Sequence, residues 1–167
     1  MNESQIHLSL THVPVILSFV GLLVLAVALI IKNNTVVKTS FYLLLFAGLL
    51  AIPVFLTGEG AEEMVENLPG VSENIIGEHE NIATLSMIVI AFTGALALVG
   101  LLFYRQPAFA KAAKYIVLVF AVASAALMAQ TAHLGGQIRH TEIRAGFTNA
   151  GDDVTNTGIK SEEKGDD

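Results

Sequence analysis

The sequence predicts an all-α integral membrane protein: a four-helix up-down bundle with a short amphipathic helix on its outer side. Three observations lead there. The chain is 53% hydrophobic and only 14% charged, too apolar and too poor in charge for an ordinary soluble domain. Its apolar residues gather in four blocks, 13–31, 39–58, 81–104 and 115–132, and none of these holds an Asp, Glu, Lys or Arg. Crossing a bilayer as a helix takes ~20 such residues. Finally, the blocks lack the polar stripe that a soluble helix turns towards water. The four-helix domain is therefore expected over residues 1–144, with spans at about 12–31, 39–58, 80–104 and 115–134, followed by a disordered polar tail at 145–167.

The first span begins near Thr11 or His12, with Pro14 in its first turn, where a missing N–H costs nothing. No basic residue precedes it, so it reads as a retained anchor rather than a cleaved leader. The second span carries Pro53 near its end and stops at Thr57-Gly58. In the link that follows, Ala61, Met64, Val65 and Leu68 recur at helical spacing and Pro69-Gly70 closes the run. This predicts a short amphipathic helix with Glu59, Glu62, Glu63 and Glu66 turned away from its apolar face. Ser72 is placed to cap an outward extension of the third span, along which Ile75, Ile76, His79, Ile82, Ala83, Ser86 and Ile90 share one stripe. In the fourth span Ala121, Ala125, Ala129 and His133 follow one i+4 ridge, where small side chains let a helix or a flat ligand come close.

Orientation follows from the cations. Lys32, Lys38, Arg105, Lys111 and Lys114 lie in the two links that hold no acidic residue, and the positive-inside rule puts those links in the cytoplasm. Both termini and the long acidic link then face outward, together with all fifteen acidic residues. The lipid bilayer is thus the first expected partner, in a bacterial inner membrane.

All five histidines, His7, His12, His79, His133 and His140, fall at that outer side. Neutral imidazole is a ligand for haem iron, copper or zinc, and helix bundles hold such groups between facing helices. Helix phase predicts His12, His79 and His133 as an inward-facing core, with His7 and His140 at its rim. One reading is a haem b held by two histidines in electron transfer, with room made by Ala125, Ala126, Ala129, Ala132, Gly135 and Gly136. Arg139 and Arg144 would then meet the propionates. A second is a zinc or copper site of three histidines. A third is a set of histidines at a wet interface with no ligand. A different class of function also fits: a non-catalytic membrane subunit that docks a membrane or redox partner through the acidic link.

Other classes are disfavoured. With no cysteine there is neither a disulfide framework nor a thiol nucleophile. His79-Glu80 opens like a zincin motif, but Ala83 stands where the second histidine is required. Phosphate-binding loops and nucleophile elbows are absent from the sequence. A net charge of −6 without a basic patch argues against nucleic acid. Spans without ionisable residues in their cores argue against an ion conduit.

His7, His12 and Pro14, with Thr57-Gly58, His79, Gly135-Gly136 and His140, stand in an order that resembles a bacterial four-span membrane family of unknown function (DUF2231-like). That family usually opens with His-Pro-x-x-x-His-x-Pro; here Leu8 stands in place of the first proline. The resemblance covers the chain to about Arg144. It implies a small inner-membrane protein without an established activity, for which a haem or redox role would fit, and it points to His7, His12, His79 and His140.

Overall fold

Four helices of the computed structural model, which describes residues 2–144, are long and apolar enough to cross a membrane. Helix α1 (Glu3–Leu10) leads almost directly into α2 (His12–Ile30). Then follow α3 (Asn34–Leu56), a short α4 (Gly58–Glu62), α5 (Glu73–Leu102), α6 (Pro107–Arg139) and a 3-10 turn at Thr141–Ile143. Short links make α2–α3 and α5–α6 antiparallel neighbours, α3 packs on α5, and α6 closes the ring against α2. The bundle therefore has one end that carries α1 and α4, and an opposite end made of the two lysine-bearing links.

Each boundary has a local cause. The Asn2 side chain accepts from the Gln5 N–H while Gln5 reaches back to the Asn2 N–H, a capping box that nucleates α1. This helix was not expected from hydropathy, because it is polar; the Asn-x-x-Gln spacing was its signal. Pro14 has no N–H for the carbonyl of Leu10, and the regular helix pauses at Thr11 although Thr11 keeps helical angles. At the end of α2, Lys32 takes a positive φ of 53° and the Asn33 N–H returns to the Ala28 carbonyl, a Schellman closure with lysine where glycine is usual. Asn33 then caps α3 by accepting from Thr35 and Val36. Pro107 starts α6 at a position where its lack of an N–H is harmless.

The helices outrun the spans that hydropathy marks. α5 starts at Glu73, not 80, and α6 runs from Pro107 to Arg139, not 115–134. Ser72 does stand at the N-cap of α5 but makes no side-chain bond there. The expected outer helix is shorter than its apolar spacing suggests. Regular helix stops at Glu62, and turns carry the chain on to Gly70, whose φ is 82°. Glu59, Glu62, Glu63 and Glu66 repel one another at i+3 and i+4, and a helix this short has nothing to spare for like charges. The predicted tail at 145–167 lies outside the described residues.

Two clusters fill the core. At the lysine end Leu25, Phe41, Leu44, Ala97 and Val117 pack together; towards α4 the cluster is Ala47, Ala51, Ile90 and Met128. Outward faces are as apolar as the core. Leu23 is 63% exposed, Ile30 78% and Val119 67%, a surface that water does not tolerate over such an area.

Close approach rather than bulk positions the helices. A Cβ on Gly48 would sit 2.9 Å from the Ile90 carbonyl oxygen, and one on Gly94 would sit 3.3 Å from that of Leu44. The two glycines thus bring the backbones of α3 and α5 into contact. Between α5 and α6 the seam is polar. His79, Ser86 and Thr93 recur every seven residues on α5. Ser86 Oγ lies 2.7 Å from Thr131 Oγ1, and Thr93 Oγ1 lies 2.8 Å from Ser124 Oγ. The hydroxyls of Ser86, Thr93 and Thr131 also bond to a carbonyl of their own helix.

A substitution pair separates the glycine contact from helix propensity. Gly48→Val should cost about 3 kcal/mol through collision with the α5 backbone. Gly77→Ala, in a helix position with open space around it, should gain about 1 kcal/mol. Thermal unfolding in detergent, followed by helical circular dichroism, checks both.

Candidate histidine site

At the end of the bundle that carries α4, two histidines bond to backbone carbonyls of other helices, one at the end of α3 and one within α6. α3 ends at Leu56, so the carbonyl of Val54 has lost its helical donor. His7 Nδ1 donates to it at 2.9 Å, and the Thr57 hydroxyl approaches the same oxygen at 3.1 Å. On the other side His79 Nδ1 donates to the Thr131 carbonyl of α6 at 3.1 Å. A carbonyl can only accept, so Nδ1 carries the hydrogen in both rings. In the neutral form this leaves each Nε2 with its lone pair free. Both rings are half-buried.

Glycine makes room for each ring. A Cβ on Gly135 would lie 3.1 Å from His79 Cε1, and one on Gly58 would lie 3.8 Å from His7 Cε1. The Thr131 residue that accepts from His79 is also the one bonded to Ser86, so the polar seam of α5 and α6 ends at this ring.

The other expected site residues lie elsewhere. His12 is exposed, not inward-facing. The buried stripe of α2 runs through Pro14, Ser18, Gly21 and Leu25, and a residue two before Pro14 sits about 200° round the helix from it. His133 is exposed too. An i+4 ridge precesses by about 40° at each step, so one that starts buried at Ala121 has turned about 120° by His133. Ala126, Ala129 and Ala132 are exposed as well, leaving Ala125, Gly135 and Gly136 as the small residues not turned outward. His133 instead pairs with Gln137 on its own helix, at 2.9 Å between Nε2 atoms. His140 pairs with Glu142 at 2.8 Å, both exposed.

The two arginines have different surroundings. Arg144 donates to the carbonyls of Gln137 and Ile138 and so closes the end of α6. Arg139 is exposed and borders a cleft with Leu68, Pro69, Gly70, Val71 and Ile138. At about 240 Å³ that cleft is below the ~300–1,000 Å³ of sites for drug-sized ligands.

Donor chemistry sorts the expected cofactors. Among the described residues no three His, Asp or Glu side chains converge as a metal-ion set, so the three-histidine zinc or copper arrangement is not assembled. Two imidazoles with Nδ1 bonded to carbonyls keep Nε2 as a free donor, the type of atom that would hold a haem iron. Sequence reasoning assigned His7 to the rim because its helix was not foreseen. Once α1 exists, His7 is carried back against α3.

Beside the histidines, Glu62 does not turn away from the bundle as its spacing suggested. It is half-buried and shares a hydrogen bond with Glu80, which can form only while one of the two carboxyls is protonated. That bond, then burial, then repulsion from Glu80, Glu66 and Glu59, pushes the Glu62 carboxyl up to about 7.

Comparison of the chain with protein-family models, with curated proteins and with solved structures gives no match in any of the three.

The raised carboxyl has a pH consequence. Glu62 binds its proton more tightly in the folded chain than at its ordinary value of 4.5. Its stabilisation is therefore complete below about pH 4.5 and is lost as pH rises through about 7. Amide exchange over residues 58–68, corrected for intrinsic rates, should show easier opening across that window. Glu62→Gln should flatten the dependence.

Proposed function

We propose that this chain is a small four-span protein of the bacterial cytoplasmic membrane, both termini outward, that holds a haem b between His7 and His79 for electron transfer. Its motif order supports kinship with the four-span family of unknown function that it resembles (DUF2231-like). The observation that carries the haem reading is the paired anchoring of the two rings. Each gives its Nδ1–H to a backbone carbonyl and keeps Nε2 for a ligand, the arrangement that metal-binding histidines commonly use. Val54 and Thr131 set the tautomer and the ring direction, and the bond from Ser86 to Thr131 steadies the second anchor. When bound, the haem supplies a one-electron couple at its iron. The apolar core under Ile76 and Met128 keeps water from the bundle side of the pair.

An absorption spectrum of the chain, expressed with ample haem and purified in detergent, tests this. A Soret band should be present, should be lost or shifted in His7→Ala and in His79→Ala, and should survive in His12→Ala and His133→Ala. A wild-type chain without the band would sink the haem reading.

One observation favours a second reading, a non-catalytic subunit that docks a partner through the acidic link. Glu59, Glu63 and Glu66 are exposed there beside Met64, 54% exposed, and Leu68, 41% exposed. Charge reversal at Glu59 and Glu63 should then weaken co-purification of that partner without touching the Soret band.

A further inference from the structure

At the lysine end, the charges gather around one tyrosine. Lys38 Nζ lies 5.0 Å from the centroid of the Tyr104 ring and Lys114 Nζ lies 5.9 Å from it. The position of the ring is set by Asn34 at the start of α3: Tyr104 Oη donates to Asn34 Oδ1 at 3.0 Å, and Lys114 Nζ donates to the same oxygen at 2.8 Å. Three separate elements thus deliver two ammonium groups and a phenol to one spot: the first turns of α3, the link after α5, and the first turns of α6.

No anion answers these charges. Lys32, Arg105 and Lys111 share this end, neither link contains an acidic residue, and among the described residues the one ion pair is His140 with Glu142. The described carboxylates lie at the α4 end, about 30 Å away along helices of this length, several screening lengths distant. Holding Lys38 and Lys114 over one ring against their own repulsion is favourable once a negative group sits between them. The hydrophobic surface that begins one turn along α3 and α6 limits what that group is attached to. Tyr42 and Tyr115 are 52% and 56% exposed there, as aromatic side chains at a headgroup level are.

We propose that Lys38, Lys114 and Tyr104 form a site for the phosphodiester of an anionic phospholipid headgroup. This rests on the membrane reading and is independent of the haem. The chemistry recognised is a phosphate monoanion: two ammonium groups supply charge, and acyl chains on the same molecule lie along the exposed apolar faces of α3 and α6. A free phosphate offers the first of these and not the second.

Titration of the full chain in detergent with phosphatidylglycerol, read by native mass spectrometry, tests the site, with phosphatidylcholine and inorganic phosphate as the other arms. Phosphatidylglycerol should bind in preference to phosphatidylcholine, and millimolar phosphate should not displace it. Lys38→Gln and Lys114→Gln should each weaken retention about fivefold, as expected for one lysine at an anionic headgroup. The double arginine variant, Lys38→Arg with Lys114→Arg, should restore it, which guards against a misfolded glutamine variant. Equal retention of the two lipids would overturn the proposal. So would displacement by phosphate, which would mark a small-anion site, or an equal loss on Lys32→Gln and Lys111→Gln, which would mark a diffuse charge effect. Recovery of the chain in the water-soluble fraction would remove the membrane reading itself, and the proposal with it.

Discussion

The architecture depends on how closely α3 and α5 approach. Both faces of these helices are apolar, so burying one face rather than the other carries little preference, and in a bilayer the tails are as apolar as leucine. Shape must decide the packing. Gly48 and Gly94 let the backbones touch, and from that contact the positions of Phe41, Leu44, Ala47 and Ile90 follow. On the other side of α5 the discrimination is polar. Ser86 and Thr93 find Thr131 and Ser124 at one register of α6, and a slip of one turn would break both hydroxyl pairs between the helices.

That register places the histidine site. His79 is the next position up the seven-residue series after Ser86, so the seam which aligns α5 with α6 also brings His79 to the Thr131 carbonyl. His7 reaches Val54 by a separate route: the polar cap on Asn2 makes α1, and the ends of α3 and α4 receive it. One end of the bundle therefore carries two imidazoles bonded to carbonyls of other helices, beside the glutamates of the link. The other end carries cations without counter-charges. This polarity runs along the bundle axis, consistent with a molecule whose two ends face different surroundings.

Much of this was legible in the residues. The four apolar blocks marked four helices, and the stripe from Ile75 to Ile90 marked the buried side of α5. Other parts misled for definable reasons. The i+4 ridge of Ala121 to His133 looked straight on paper, but 3.6 residues per turn rotates it off the core. The glutamates of the link looked outward by periodicity, yet the helix that periodicity assumes stops at Glu62 because those same charges oppose it.

The sequence by itself determined the helical class, the number of long helices and the end at which every histidine lies, because composition and i to i+4 spacing are local properties. Only the tertiary structure decided that His7 and His79 each bond to a carbonyl of another helix while His12 and His133 face outward. The cause is that a histidine's partner here is a carbonyl on another helix. Which carbonyl is within reach depends on how Gly48, Gly94 and the serine–threonine seam set the helices against each other.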